Sequence, residues 1–433
     1  MSPAPMGVCV FQLPTSGHVN PLIPVLAELI ERGVDVCSTS TPSLDRALTG
    51  AGVRLAAYPP IVEARAATPP DGLADVCALL AEMTEVLMPW CVELLRREQP
   101  AVVISDSMAP WGHLAAAHLG IPCVASSTTF VLHGGLDDSL AGKLSLLREI
   151  ATGIPDLLRY ARYRSRVRRQ WTLDPGAPVD LLAGLGDFTI AHTSRQLQPG
   201  AELFDDTVRY IGTAVRPASP EHPELATLPD GPLLYASLGT LYNERPDFFR
   251  SVLHALADHP GPVLLSIGRR LNPETLGALP ANAIVRASVP QLAVLARADA
   301  FITHGGMNST TEGLVHGVPM VFAPQTADQP LVARRIAALG AGIVLRGRCP
   351  SPEHIRRAVD DVRQSDARTR AAELGAQLLA CGGARAAADV VLEAAGRLEV
   401  AADSDRPQIH AASDGIDPLD HHLSAVAEPD HRT

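Results

Sequence analysis

The stretch HGGMNSTTEGLVHGVP, His304 to Pro319, decides the fold. An apolar run, DAFIT, leads into it and another, MVFAP, leaves it. Strand, glycine-rich turn, helix and strand make a βαβ unit, and such units build a parallel sheet. Ligands of these sheets sit beyond the carboxyl ends of the strands. A helix that starts there offers unpaired N–H groups and a partial positive charge, which suit phosphate. Gly305 and Gly306 let the backbone approach closely, and Asn308, Ser309 and Thr310 add donors. His304 has a ring N–H for a second phosphate, and Glu312 is placed to accept from ribose hydroxyls. An ordinary capped turn of small residues accounts for one glycine and one serine but not for the whole run. The stretch is neither a Walker loop nor GxGxxG, because the lysine and the glycine spacing are absent.

Working outward, the same rhythm fills the chain. GVCVFQL (7–13), DVCSTS (35–40), VRLAAYP (53–59), PAVVISDS (100–107) and IPCVASSTTF (121–130) read as strands with helices between them. The first helix is expected over residues 21–33, with Asn20 as N-cap, Pro21 in the first turn and Gly33 at the stop. The pattern restarts at Gly231 with PLLYASLG. Residues 213–232, TAVRPASPEHPELATLPDGP, are Pro-rich and aperiodic, as a linker is. The expected fold is therefore α/β, with two Rossmann-like, doubly wound parallel-sheet domains facing each other across a cleft. Residues 1–213 form the first, 214–230 the linker, 231–398 the second, and 399–433 a disordered acidic tail.

Composition narrows the partners. The 433 residues are 46% apolar and carry a net charge of −11, which argues against nucleic acid. No apolar run reaches the roughly 18 to 20 residues of a membrane span, so no integral membrane association is expected. MSPAPMGVCVF lacks a basic n-region, so no signal peptide is expected. Seven scattered cysteines without a CxxC pair suit reduced thiols in a cytoplasmic protein. Lys143 is the only lysine, and the basic run RYARYRSRVRR (159–169) reads as a solvated helix face. Asp403-Ser404-Asp405 spells DxD without a strand before it, and no metal site is assigned there. The sequence carries no signal for oligomeric state.

Chemistry collects at the strand ends. Ser16-Gly17-His18 follows the first strand, and Asp106 follows VVIS. Parallel strands end on one edge, so His18 and Asp106 are candidates to meet across 88 positions. A carboxylate on one imidazole nitrogen fixes the tautomer and leaves the other nitrogen to take a proton. His18 is thereby a candidate general base for a hydroxyl, although a polar loop histidine has the same spacing.

The pieces SGHVNPLIPVLAEL, DSMAPWGHLAAAHLGIP, SLGT, SVPQLAVL and HGGMNSTTEGLVHGVPMVFAPQTADQPLVARRIAALGAG together resemble the macrolide-type glycosyltransferases. These have the GT-B fold and are bacterial relatives of the UDP-glucuronosyl and plant secondary-metabolite transferases. The resemblance covers residues 6–398, most specifically 288–342. It implies catalysis by His18 with Asp106 as orienting partner. It implies a donor site made by Ser237, Gly239, Thr240, Val289, Gln291, His304, Gly306, Asn308, Ser309 and Glu312, with Asp328 and Gln329 on the transferred sugar's hydroxyls. Ser288 departs from the pattern, because many relatives stack an aromatic on the nucleobase there. The implied donor is a UDP-sugar, with a dTDP-sugar the alternative, and no metal or other cofactor is implied. The Asp328-Gln329 pair suits a hydroxyl-rich hexose such as glucose, since each buried polar group needs a partner. The implied acceptor is a hydrophobic macrolide, polyketide or phenolic alcohol. Its walls are expected in 58–90 and 128–170, with Met83, Met88, Trp90, Phe130 and His133 as lining candidates or, alternatively, core. Two rival readings share this fold: a UDP-sugar epimerase, which needs no acceptor pocket, and a non-catalytic transferase-like partner protein.

Overall fold

β1 (Gly7–Phe11) sets the pattern of the molecule: Val8 and Val10 enter one core, Cys9 and Phe11 another, and all four are buried. A strand covered on both faces belongs to a sheet between two helical layers. In this computed structural model, residues 6–66, 73–132, 154–176, 186–215, 222–240, 243–325, 328–347 and 349–401 are described.

The first sheet has seven strands among these residues. They are β1, β2 (Asp35–Ser40), β3 (Arg54–Ala57), β4 (Val102–Asp106), β5 (Cys123–Ser127), β6 (Phe188–Ala191) and β7 (Val208–Tyr210). Their order is β3-β2-β1-β4-β5-β6-β7, and all pairs are parallel. The direction of winding reverses between β1 and β4. Such a reversal opens a crevice at the carboxyl ends. The second sheet runs β10-β9-β8-β11-β12-β13, also parallel, and reverses between β8 and β11. Its strands are β8 (Leu233–Ser237), β9 (Val263–Ser266), β10 (Ala283–Arg286), β11 (Ala298–Thr303), β12 (Met320–Phe322) and β13 (Gly342–Val344). The expected pair of Rossmann-like sheets is present.

Several local readings need correction. His18 lies in a short helical turn, Ser16–Val19, and Asn20 ends that turn instead of capping the next helix. Pro21 has no N–H to continue the ladder, and the longer helix starts at Ile23. Leu225 and Leu228 of the expected linker are buried in the second lobe's core. The last helix, Gly383–Ala401, lies mostly within the 231–398 range expected for the second lobe. Its Ala387, Val391 and Ala394 instead pack into the first lobe's core with Leu26 and Val124. The helix extends through residues 399–401, and 402–433, including the DxD spelling, lie outside the described residues. The basic run forms the outer face of the helix Ile154–Trp171. There Arg159 pairs with Asp75 and Glu82, and Arg166 with Glu85.

The helix Met307–Val315 is held from behind by the helix Ala367–Ala380 at close range. A Cβ added to Gly375 would stand 2.1 Å from the Leu314 carbonyl oxygen. Gly375→Ala therefore forces two helices apart, and overpacking of this kind costs about 1–3 kcal/mol. The expected result is a lowered unfolding midpoint, measured by thermal denaturation.

Candidate active site

β1 and β4 end side by side, with Phe11 opposite Ser105, so the turn carrying His18 lies over the end of β4. His18 Nδ1 is 3.0 Å from Asp106 Oδ1 and 2.9 Å from Oδ2. Asp106 is almost fully buried, whereas the His18 side chain is 22% exposed, so one face of the ring is open to the cleft. The Met108 N–H also donates to Asp106 Oδ1, at 2.7 Å, which fixes the carboxylate. Burial alone would lower the His18 pKa. The charge and hydrogen bond of Asp106, with the charge of Asp328, outweigh it and raise the pKa above 6.5. A carboxylate accepts, so Nδ1 carries the hydrogen and Nε2 is the basic atom.

In the second lobe, Ser237 and Phe322 flank Thr303 in register, which brings three strand ends together. Gly306 opens the helix Met307–Val315 in extended conformation and makes no side-chain cap, so the first N–H groups face outward. His304 sits between two glycines. A Cβ on Gly239 would come 2.7 Å from its Cε1, and one on Gly306 2.4 Å from its Nε2. Gly239 also has φ +76, where a side chain is strained. Burial pushes the His304 pKa down to about 4, partly offset by a hydrogen bond that the ring donates to the backbone carbonyl of Ser237. The ring is thus neutral near pH 7, a hydrogen-bond donor without charge.

Gln291, Ser309 and Glu312 form one network. Gln291 Nε2 donates to Ser309 Oγ at 3.1 Å and to Glu312 Oε2 at 2.6 Å. Tyr235, which the sequence reading passed over, donates to Gln291 Oε1 at 2.9 Å. Burial raises the Glu312 pKa, an effect that Gln291 opposes. Val289 packs beside this network against the second core. The exposed Ser288 supplies no ring.

The two lobes meet at this mouth. Asn308 Nδ2 donates to the Gly17 carbonyl at 2.8 Å, and Ser16 Oγ is 3.5 Å from Thr240 Oγ1. Thr129, on the loop after β5, donates to Asp328 Oδ2 at 2.8 Å. Gln329 points inward: it is 6% exposed and its Oε1 accepts the Gln325 N–H. Among the described residues, no three His, Cys, Asp or Glu side chains are grouped to hold a metal ion. No helix there is long and apolar enough to cross a membrane.

The acceptor-side expectations fare less well. Met83 and Met88 lie on the inward face of the helix Leu73–Glu98 and are 6% and 0% exposed, so they are core. Phe130 is 2% exposed and packs into the second lobe's core with Leu197 and Tyr235. It ties the lobes together instead of lining a cleft. Trp90 keeps an open edge and packs against Tyr58, ring centroids 5.5 Å apart. His133 lies outside the described residues.

Known proteins match this architecture. A family model described as "UDP-glucoronosyl and UDP-glucosyl transferase" matches residues 212–370. The chain is 30% identical to the uncharacterized UDP-glucosyltransferase YojK of Bacillus subtilis over 396 residues, 89% of this chain and 97% of the relative. It is 31% identical to demethyllactenocin mycarosyltransferase of Streptomyces fradiae over 355 residues, 77% of this chain and 74% of the relative. The crystal structure of the glycotransferase of kitacinnamycin superposes with a TM-score of 0.75 at 29% identity, covering 90% of this chain and all of the other.

Proposed function

The chain belongs to the UDP-glucuronosyl and UDP-glucosyl transferase family and is a glycosyltransferase, and on that premise we propose that it moves a hexose, glucose in particular, from a nucleoside-diphosphate sugar to a hydroxyl of a macrolide, polyketide or phenolic acceptor. One observation carries this reading. Asn308, at the start of the phosphate-side helix, touches the carbonyl of Gly17, the neighbour of His18. A diphosphate on that helix therefore has its sugar within reach of the imidazole.

His18 Nε2 takes the proton of the acceptor hydroxyl, and Asp106 steadies the imidazolium. The alkoxide attacks the anomeric carbon from the face opposite the diphosphate, so one displacement inverts the centre. The leaving diphosphate gains charge where Met307, Asn308 and Ser309 present N–H groups and His304 a ring donor. Donors fixed before the reaction need no reorganisation as that charge develops. Gln291 and Glu312 exchange their mutual bond for the ribose hydroxyls, and Asp328 exchanges Thr129 for a sugar hydroxyl. Because backbone donors meet the charge, we propose that no metal takes part.

The test is mass spectrometry of incubations with UDP-glucose or dTDP-glucose against a panel of macrolides and flavonoids. The expected product is an acceptor heavier by one anhydrohexose, formed at the same rate with EDTA present. Conversion of the donor alone to an epimer, with no acceptor product, would contradict the proposal.

A further inference from the structure

His18 Nδ1 has a third oxygen neighbour besides the two of Asp106. Thr128 Oγ1 lies 3.1 Å from it, on a side chain only 4% exposed. A carboxylate alone leaves an imidazole free to swing about its Cβ–Cγ bond. An acceptor on a second element removes that freedom. Thr128 follows directly on β5, and its loop is fixed at each step. The Ser127 carbonyl accepts from His192 N–H at 3.0 Å, and Ser127 Oγ donates to the Thr129 carbonyl at 3.3 Å. Thr129 then bonds Asp328 at 2.8 Å, and Phe130 is buried in the opposite lobe. Three consecutive side chains thus run from the imidazole to the sugar-side carboxylate to the second core.

We propose that Thr128 is the positioning residue of the base: its hydroxyl pins the plane of the His18 ring so that Nε2 stays aimed at the acceptor hydroxyl. This rests on His18 being that base. As a third acceptor on the shared Nδ1–H, the hydroxyl also favours the protonated ring. The ionisable groups facing the ring are Asp106 at the end of β4 and Asp328 from the second lobe. Behind Asp106 lies His192, held by Ser126 at 3.0 Å and kept neutral by burial. None of these is altered by a change at Thr128.

The experiment compares wild type, Thr128→Val and Thr128→Ser, with His18→Ala as the reference for loss of the base. Turnover is followed against pH at saturating donor, and donor affinity by calorimetry. Valine is expected to lower kcat about tenfold, the size of one lost hydrogen bond near 1.4 kcal/mol. Donor affinity stays within about twofold, because Thr128 does not face the diphosphate. The acid limb of the valine profile moves to lower pH, and serine restores both rate and limb. A valine profile superimposed on wild type, or a serine variant as slow as valine, overturns the proposal. If His18→Ala itself keeps wild-type turnover, the assignment of the base fails instead, a different result from the same series. Unfolding midpoints of the variants show whether each is folded.

Discussion

Replacing His18, the proposed base, with alanine is expected to lower kcat by about 10²- to 10⁴-fold, the contribution of a positioned general base. Donor affinity is expected to change little, since the proposed diphosphate seat lies on the other lobe. Asp106→Asn has a comparable effect, because an amide that turns its NH₂ toward Nδ1 selects the wrong tautomer. The pH dependence separates the two variants. Asp106 and Asp328 hold the His18 pKa above 6.5 against the opposing effect of burial. The neutral, basic ring therefore grows in as pH rises through that raised value, and the acid limb of the rate profile lies above 6.5. Without the Asp106 charge, burial prevails and the limb moves down. Stability runs the other way. The His18–Asp106 pair contributes fully below the unfolded value of about 6.5, and the contribution is lost as pH rises through the folded value. Steady-state rates across the neutral range, with chemical denaturation at the same pH values, check both signs.

Gly239→Ala and Gly306→Ala strike the donor side. Each new Cβ would meet the His304 ring, at 2.7 Å and 2.4 Å. That ring is wedged between the two glycines and cannot yield without leaving the place from which it donates. Gly239 carries the further strain of φ +76. Collision costs about 1–3 kcal/mol and left-handed strain about 1–2 kcal/mol. Donor affinity is expected to fall about tenfold to a hundredfold, more at Gly239 than at Gly306, on the scale of about 1.4 kcal/mol per decade. Titration of UDP into each variant reads this directly. Unchanged binding with a normal unfolding midpoint would show that His304 does not take part in holding the diphosphate.

Much of the scaffold could be read from the residues, for physical reasons. β1, β4, β8 and β11 are largely apolar runs buried on both faces, and each is punctuated by glycine or a polar turn. The helix Met307–Val315 is legible from the glycines before it and the asparagine and hydroxyl residues in its first turn. β6 and β7, of four and three residues, are not among the strands that the sequence marks. The return of Gly383–Ala401 to the first lobe was hidden as well. An alanine-rich helix fits many partners, and only the folded chain shows which one it covers.

The site divides in the same way. His18 and Asp106 were paired from strand-end logic, and their side chains do touch. Thr128 and Thr129 looked like the tail of a strand, and their bonds to His18 and Asp328 span 110 and 199 positions. Contacts over such separations leave no local pattern. Phe130, Met83 and Met88 were named as lining from their size and apolarity. The same properties place a side chain in a core, and helical spacing put both methionines there.

The most direct test of the central claim is the anomeric configuration of the glucoside formed from UDP-α-glucose, determined by proton NMR. Attack by a base-activated hydroxyl opposite a helix-bound diphosphate yields the β-glucoside, and that product is lost in the His18→Ala protein. An α-glucoside, or β-glucoside formed at the wild-type rate without His18, would contradict the account.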